Sequence, residues 1–223
     1  ISGAIGMFDR EALVGCGGYL TKTVGEDMEL VVRMRRYLYE KGIKHQVIYL
    51  PDPLLWTEVP SGRKTLGRQR NRWTRGTMDS LFMHTRLFFN PKYGSLGMLG
   101  YPYWFFFEWL APIVEVLGFI YFLTMALIGA INWPLFLTIL LFIYLFALSF
   151  SFFSILYDEL TFHPYQSLRE NFRLFLVAMA EPFIYHPQVV YWSIRGNISY
   201  LRGYRKWGDM RRTGFYSGED ALA

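Results

Sequence analysis

The sequence contains one cysteine, Cys16, so no disulfide can form within it, which fits a reducing compartment. Charge is also scarce: 18% of the 223 residues are charged and 52% are hydrophobic. Soluble proteins average about 25% charged residues. The scarcity is uneven, because residues 1–100 have the mixed composition of a polar-surfaced domain, whereas residues 101–157 carry almost no charge. This pattern disfavours an ordinary soluble protein and indicates a membrane part.

Acidic residues are missing from 63–75, a stretch that holds six basic residues. The whole chain has a net charge of +5 and a pI of about 9.3. A basic chain can bind nucleic acid, but here the basic stretches adjoin long apolar segments. Anionic lipid headgroups are therefore the simpler partner, and we expect no nucleic acid to bind. The N-terminus also lacks an initiator Met and a signal peptide, so we expect the chain to be the C-terminal part of a longer protein.

The first 50 residues alternate between strand and helix patterns. Ala4–Phe8 and His45–Leu50 are short apolar or β-branched runs that predict strands. Between them, Asp9 is a plausible N-cap of a short helix, and an amphipathic helix starts with the acids Glu26 and Asp27. This strand–helix–strand order predicts an α/β unit.

Two long apolar segments predict membrane-spanning helices. Residues 104–131 and 133–157 each exceed the roughly 20 residues that a span requires, and the second has no charged residue. The first contains Glu108 and Glu115, which would either line a polar path or form hydrogen bonds between helices. Lysines and arginines are absent from the turn between the spans, so the positive-inside rule places the polar domain in the cytoplasm.

Two further segments are predicted to lie at the membrane surface or partly within the membrane. Met78–Phe89 is amphipathic, which suits an interfacial helix or a helix on a soluble core, and its place before the spans favours the interface. Phe172–Ile194 is apolar but contains Glu181, Pro182 and Pro187, and a full crossing would export the basic tail. We therefore predict a broken, interfacial or re-entrant helix for this segment.

Two short motifs combine groups that suit sugar transfer. Glu26 and Asp27 open a helix, where acids favour the positive end of the helix dipole, and an acid in this place could equally accept a proton. Gln69, Arg72 and Trp73 share a face if their segment is helical. Arginine suits a diphosphate and tryptophan suits the apolar face of a sugar ring. A basic helix with a membrane-anchoring tryptophan would show the same pattern.

Together these motifs resemble those of the processive, membrane-embedded family 2 glycosyltransferases. This group includes cellulose synthases, hyaluronan synthases and bacterial poly-N-acetylglucosamine synthase-like proteins. Its members carry an E-D pair that opens a helix and a Q-x-x-R-W motif further along the chain. The matching residues here are Glu26, Asp27, Gln69, Arg72 and Trp73.

The resemblance extends over the chain, with departures. Residues 2–19 and 207–215 also resemble the corresponding segments of bacterial members. Cellulose synthases typically have Thr-Glu-Asp, whereas this chain has Gly25 before the pair, which argues for another polymer. The sequence contains no Asp-x-Asp, so the family's ligands for a donor-bound metal would lie outside it.

The resemblance implies an inverting hexosyltransferase that extends a β-linked polysaccharide from a UDP-sugar and passes it into the membrane. Asp27 would be the general base, and Glu26 would set the helix start or hold a neighbouring group. Arg72 would balance the charge of the leaving diphosphate, while Trp73 and Gln69 would bind the acceptor sugar. A divalent metal, Mg²⁺ or Mn²⁺, is implied as cofactor, and no metal ligand is assigned within this sequence. The implied partners are the UDP-sugar, the growing polysaccharide, membrane lipid, and the upstream part of the same enzyme or a partner chain.

The predicted architecture is a partial α/β GT-A-type domain followed by an α-helical membrane region with interfacial helices. It is divided into the C-terminal part of a cytoplasmic catalytic domain (1–76), an interfacial helix with linker (77–100), a region of transmembrane and interfacial helices (101–194) and a basic cytoplasmic tail (195–223). The expected location is the inner (cytoplasmic) membrane, multi-pass, with the catalytic side in the cytoplasm. Three alternatives stay open: a non-processive transferase that makes a glycolipid, a non-catalytic membrane subunit, and a transporter or channel.

Overall fold

The computed structural model describes residues 5–50, 55, 57–60, 62–162, 167–204 and 206. The motif-like segment 207–215 lies outside this part of the chain. The main helices in the described part are α1 Arg10–Gly15, α2 Glu26–Glu40, α3 Arg63–Met83, α4 Leu96–Leu127, α5 Trp133–Phe162, α6 Leu168–Ile184 and α7 His186–Leu201. Short 3₁₀ turns at Thr85–Leu87 and Pro91–Tyr93 connect α3 to α4, and α4 contains π-helical turns at Leu96–Gly100 and Trp104–Leu110.

The chain divides into two compact units, and the predicted functional division into four parts stays a prediction. The first unit comprises 1–114 and 192–223, and the second comprises 115–191. Helix α3 runs from Arg63 to Met83 and so continues past residue 76. Helix α7 continues to Leu201, so the first residues of the predicted tail are helical.

The core of the first unit forms between α2, α3 and the start of α4. Its buried apolar cluster consists of Val32, Leu81, Leu87, Tyr93, Leu96 and Tyr101. Two of these residues belong to the predicted amphipathic segment Met78–Phe89, whose helix ends at Met83. Part of its apolar face therefore packs on protein, as a core helix does, while Phe88 and Phe89 remain exposed.

Among the described residues, two helices have the length and composition of membrane spans. They are Leu96–Leu127 and Trp133–Thr161, and they overlap the predicted spans 104–131 and 133–157, the first over residues 104–127. Apolar side chains face outward on several sides of α5: the successive residues Leu141, Phe142 and Ile143 are 57%, 69% and 57% exposed. A helix that is apolar all round suits lipid, because each Å² of apolar surface left in water costs about 25 cal/mol.

The segment Phe172–Ile194 is broken, as predicted. Helix α6 ends at Ile184 and α7 starts at His186, with Tyr185 between them. Pro187 falls in the first turn of α7, where its missing N–H leaves no helical hydrogen bond unmade. The placement of this segment at a membrane surface stays a prediction.

The two predicted strands do not form in the described residues. Residues 5–9 and 43–50 have no regular secondary structure, and Val47, Ile48 and Tyr49 are mostly exposed. A strand needs a neighbouring strand to satisfy its backbone groups, and none of the described segments supplies one. The helices of the predicted α/β domain are present, and its strands are not confirmed in the part of the chain that the structure describes.

Candidate active site

The E-D pair begins α2 at a point where two glycines touch. Gly25 is the N-cap of α2, and a Cβ added to it would lie 2.7 Å from the Cα of Gly76 in α3. Side chains do not fit at such a separation, so the two helices can cross here only with glycine at both positions. Arg72 lies one helical turn before Gly76 and therefore lies on the face of α3 that meets the start of α2.

Arg72 faces the E-D pair electrostatically as well as by position. Its Nη1 donates to the carbonyl oxygen of Val24 at 3.4 Å, directly before Gly25. Burial lowers the pKa of the Arg72 guanidinium, and the carboxylates of Glu26 and Asp27 oppose this change by favouring the charged form. The structure thus brings together three of the five predicted site residues.

The two carboxylates of the pair have different surroundings. Asp27 Oδ1 accepts a hydrogen bond from the backbone N–H of Met28 at 2.8 Å, and Oδ2 accepts none from the residues that the structure describes. Glu26 Oε2 is buried and has no hydrogen-bond partner among the same residues. A buried carboxylate oxygen without a donor is costly, so this end of α2 has an unused capacity to bind a polar group.

Gln69 and Trp73 lie on α3 with Arg72, as the helical spacing predicts. Trp73 is 47% exposed, and the guanidinium carbon of Arg70 lies 4.5 Å from the centre of its ring, in a cation–π contact. Gln69 is partly exposed. In the described part of the chain, neither side chain forms a hydrogen bond with Glu26 or Asp27, so the structure does not join all five residues into one cluster.

Arg75 was not predicted as a site residue; it is 3% exposed and connects α3 to the residues that follow α7. Its Nη1 donates to the carbonyl oxygens of Tyr204 and Lys206, each at 3.0 Å, and its Nε donates to Asn71 Oδ1 at 3.0 Å. Burial lowers the pKa of Arg75, opposed by Tyr204 and Asp79. Within the run of six basic residues nothing distinguished this arginine, because its partners lie far along the chain.

Helix α7 packs along α3 through small residues. A Cβ on Gly67 would meet the indole of Trp192 at 2.6 Å, and one on Gly196 would meet Thr74 Cβ at 2.7 Å. The later residue of α3 thus contacts the later residue of α7, which means that the two helices run parallel. The face of α3 opposite to α2 is therefore occupied by α7, and this fixes the helix that carries Arg72.

A second group that the sequence argument missed surrounds Glu29, which is fully buried in α2. Its Oε1 accepts from Arg33 Nε at 2.8 Å and from His84 Nε2 at 3.1 Å, and its Oε2 accepts from Arg33 Nη2 at 3.0 Å. Arg36 Nη1 lies 2.8 Å from His84 Nδ1. Because arginine can only donate, Nδ1 accepts and Nε2 carries the proton that is donated to Glu29.

The same network sets the ionisation of its members. Burial raises the pKa of the Glu29 carboxyl, but the hydrogen bonds from His84 and Arg33 outweigh burial and hold that pKa below its ordinary value. The hydrogen bond to Glu29 raises the pKa of Arg33. A glutamate two residues after the E-D pair could have been read as one more acid of a first helical turn, and only its burial shows otherwise.

The described residues do not form a metal site on their own. No group of three or more His, Cys, Asp or Glu side chains with suitable geometry occurs in the described residues. Glu29 is committed to Arg33 and His84, so only Glu26 and Asp27 could contribute oxygen ligands at the start of α2. The implied divalent metal would need further ligands from elsewhere, and we derive no step through it.

One of the two acids of the first apolar helix has a partner within the second unit. Glu115 Oε2 lies 2.8 Å from Nε2 of His186, the first residue of α7. Of the two roles considered for this acid, the hydrogen bond between helices is therefore observed.

Comparison with known proteins gives a family match and a partial match to a plant protein. A family model described as "Glycosyl transferase family group 2" matches residues 1–157. Over 79 residues the chain is 35% identical to a protein of Oryza sativa subsp. japonica named "Probable glucomannan 4-beta-mannosyltransferase 3". That match covers 35% of this chain and 13% of the rice protein, so the chain spans a small part of this relative's length. No solved structure matches the chain significantly.

Proposed function

Because the chain belongs to glycosyl transferase family group 2, we propose that it forms the acceptor side of an inverting glycosyltransferase at the cytoplasmic face of the inner membrane. The observation that carries this proposal is the crossing of α2 and α3, which brings Glu26, Asp27 and Arg72 together through Gly25 and Gly76. The enzyme would extend a β-linked polysaccharide from a UDP-sugar. The name of the rice relative specifies a 4-β-mannosyl transfer, which supports a β-linked product.

In the proposed reaction, Asp27 removes the proton from the acceptor hydroxyl as its oxygen attacks the anomeric carbon of the donor. The bond from that carbon to the diphosphate breaks, the configuration inverts, and the proton remains on Asp27 until water removes it. Asp27 Oδ1 is held by the Met28 N–H, which leaves Oδ2 to face the acceptor. A positioned base of this kind contributes about 10²–10⁴ in rate.

Arg72 would stabilise the charge that develops on the leaving diphosphate. Its guanidinium is partly desolvated and remains charged beside two carboxylates, and a fixed cation in a dry site acts more strongly than one in water. Its planar fork also matches phosphate oxygens. Glu26 would contribute through its buried Oε2, which could accept a hydrogen bond from a sugar hydroxyl.

The apolar helices α4 and α5 would hold the enzyme in the membrane. Their length, composition and outward-facing aromatic side chains support this role. Membrane lipid is thus a proposed partner, as are the donor, the growing polymer, and the residues or chain that supply the donor site.

The test of this function is incorporation of labelled sugar from nucleotide-sugar donors by the full-length protein in membranes, with the length of the product measured. Long polymer supports processive synthesis. A single sugar transferred to lipid would indicate a glycolipid-forming enzyme, and no incorporation with any donor would favour a non-catalytic subunit.

Replacement of Trp73 by Ala is expected to lower acceptor use by up to about tenfold, because a stacking surface of this kind contributes about 0.5–1.5 kcal/mol. Donor affinity should stay nearly unchanged, and Trp73→Phe should keep part of the activity because it retains a flat ring. Elongation rate, donor affinity and membrane partition are measured for each variant. Trp133→Ala is the control for an anchoring role. If Trp73→Ala changes only membrane partition, as Trp133→Ala should, the sugar-binding role is wrong.

The proposed topology predicts that the turn between α4 and α5 lies outside the cell and that both ends of the chain lie inside. The turn carries no charge, and each Lys or Arg moved through the bilayer centre costs about 2.5–3.5 kcal/mol. In a Cys16→Ser background, a membrane-impermeant thiol reagent should label Ala130→Cys in intact cells. Ser217→Cys and the control Lys44→Cys should react only after lysis. Labelling of Ser217→Cys from outside would mean a third crossing.

A further inference from the structure

We propose that Glu29 and Arg33 are positioning residues, which hold the turn at residues 15–18 against α2 and thereby fix the Glu26-Asp27 pair; this rests on the function proposed above. Neither residue has a role in the chemistry described, although Glu29 is fully buried and both are charged. A buried ion pair often stabilises a protein no more than apolar side chains of the same size would. We therefore relate this pair to the segments that it joins.

The guanidinium of Arg33 joins two parts of the first unit. On one side it holds both carboxylate oxygens of Glu29. On the other side Nη1 donates to the carbonyl oxygen of Cys16, and Nη2 donates to that of Gly18. One rigid fork thus fastens the turn after α1 to the interior of α2, and only arginine has the donors to do so.

The segment between this turn and α2 is short and is held at both ends. At its start, Gly18 is fixed by Arg33, and at its end, Gly25 is fixed by its contact with Gly76. Within it, Thr23 and Val24 are 6% and 4% exposed. Only six residues separate Gly18 from Gly25, so a displacement of Gly18 is expected to displace the carboxylates of Glu26 and Asp27 as well.

His84 supplies a third attachment through Glu29. His84 caps the C-terminus of α3, and its Nε2 donates to Glu29 Oε1. Helix α2 is thus joined to α3 at two levels, at Gly76 and at His84, and these two points determine the direction in which its N-terminus approaches Arg72. Glu29 in α2 therefore links to the turn through Arg33 and to α3 through His84.

The experiment uses Arg33→Lys and Glu29→Gln in the full-length protein, with Tyr93→Phe as a matched control. Lysine keeps the charge but has one nitrogen, and glutamine keeps the shape but loses the ion pair. Tyr93→Phe removes a comparable hydrogen bond, to Glu40 at the far end of α2, and keeps the ring in the core. The readouts are kcat, the KM for the donor, thermal unfolding, and the alkylation rate of Cys16 followed by mass spectrometry of its peptide.

We expect both variants to lower kcat by about tenfold, because displacement of a base by a fraction of an ångström is sufficient for such a loss. The donor KM should stay within about twofold of the wild-type value. Cys16 should be alkylated faster in both variants, because the turn that carries it is no longer held. Tyr93→Phe should change neither kcat nor labelling. Unchanged labelling in both variants overturns the anchoring role, whatever the activity. Faster labelling with normal kcat overturns the positioning role. If the wild-type protein transfers no sugar, the proposed function fails, and the labelling still decides whether the turn is held as described.

Discussion

Asp27→Asn in the full-length protein is expected to lower turnover by at least about 10²-fold while leaving donor affinity nearly unchanged. Asparagine has almost the shape of aspartate and its side-chain oxygen can still accept from the Met28 N–H, so the start of α2 should keep its geometry. What is lost is the ability to take a proton from the acceptor hydroxyl. Donor binding, which does not need that proton transfer, should be preserved.

The measurement is the rate of sugar transfer at saturating donor, together with donor affinity by direct binding. Asp9→Asn is a matched control, because Asp9 caps α1 through a hydrogen bond from the Ala12 N–H at 2.8 Å and asparagine caps helices equally well. Normal polymer synthesis by Asp27→Asn would contradict the general-base role. The pair would then be explained as the acidic first turn of a helix.

Gly76→Ala should have a comparable effect on activity for a different reason. An alanine Cβ at this position would lie 2.7 Å from the Cα of Gly25 and 3.0 Å from its nitrogen, and backbone atoms cannot move aside as a side chain can. Helix α2 must therefore shift, which we expect to cost about 1–3 kcal/mol of stability. A shift of about 1 Å at the E-D pair would lower turnover by roughly 10²-fold.

Gly76→Ala is expected to lower the free energy of unfolding, which is the opposite of the usual effect of alanine in a helix. In the interior of a helix, alanine normally exceeds glycine in stability by about 0.8–1.0 kcal/mol, so a helix without this contact would be stabilised. Gly118→Ala in α4 is the control, since nothing lies within 4 Å of a Cβ there. Thermal unfolding and turnover of both variants are compared. A stabilised and active Gly76→Ala would show that α2 and α3 do not cross as described.

The sequence predicted those parts of the site that depend on local spacing. The helix that starts at the E-D pair and the shared helix of Gln69, Arg72 and Trp73 follow from periodicity, and both are present. The break before α7 follows from the prolines. Membership in the glycosyltransferase family confirms the class that the two motifs indicated, although processive synthesis stays a proposal.

What could not be predicted depends on contacts between distant residues. Gly25 appeared as a departure from the Thr-Glu-Asp of cellulose synthases and suggested a different polymer, whereas the structure supplies a packing reason for it at Gly76. The burial of Arg75 and Glu29 is not visible in the sequence, because it depends on partners that are 129 and 55 residues away along the chain. The two strands were predicted from composition, which cannot reveal whether a neighbouring strand is present.

The hydrogen bonds of Arg75 to Tyr204 and Lys206 determine how late in synthesis the first unit can be completed. The first unit is assembled from two stretches of chain, and the carbonyl oxygens that satisfy Arg75 are synthesised only after both apolar helices, because they belong to Tyr204 and Lys206. Folding generally proceeds as the chain emerges from the ribosome. In the membrane arrangement proposed above, the helix that carries Arg72 therefore receives these two partners only after both apolar helices have been synthesised and can enter the bilayer, so that the candidate site would be completed late.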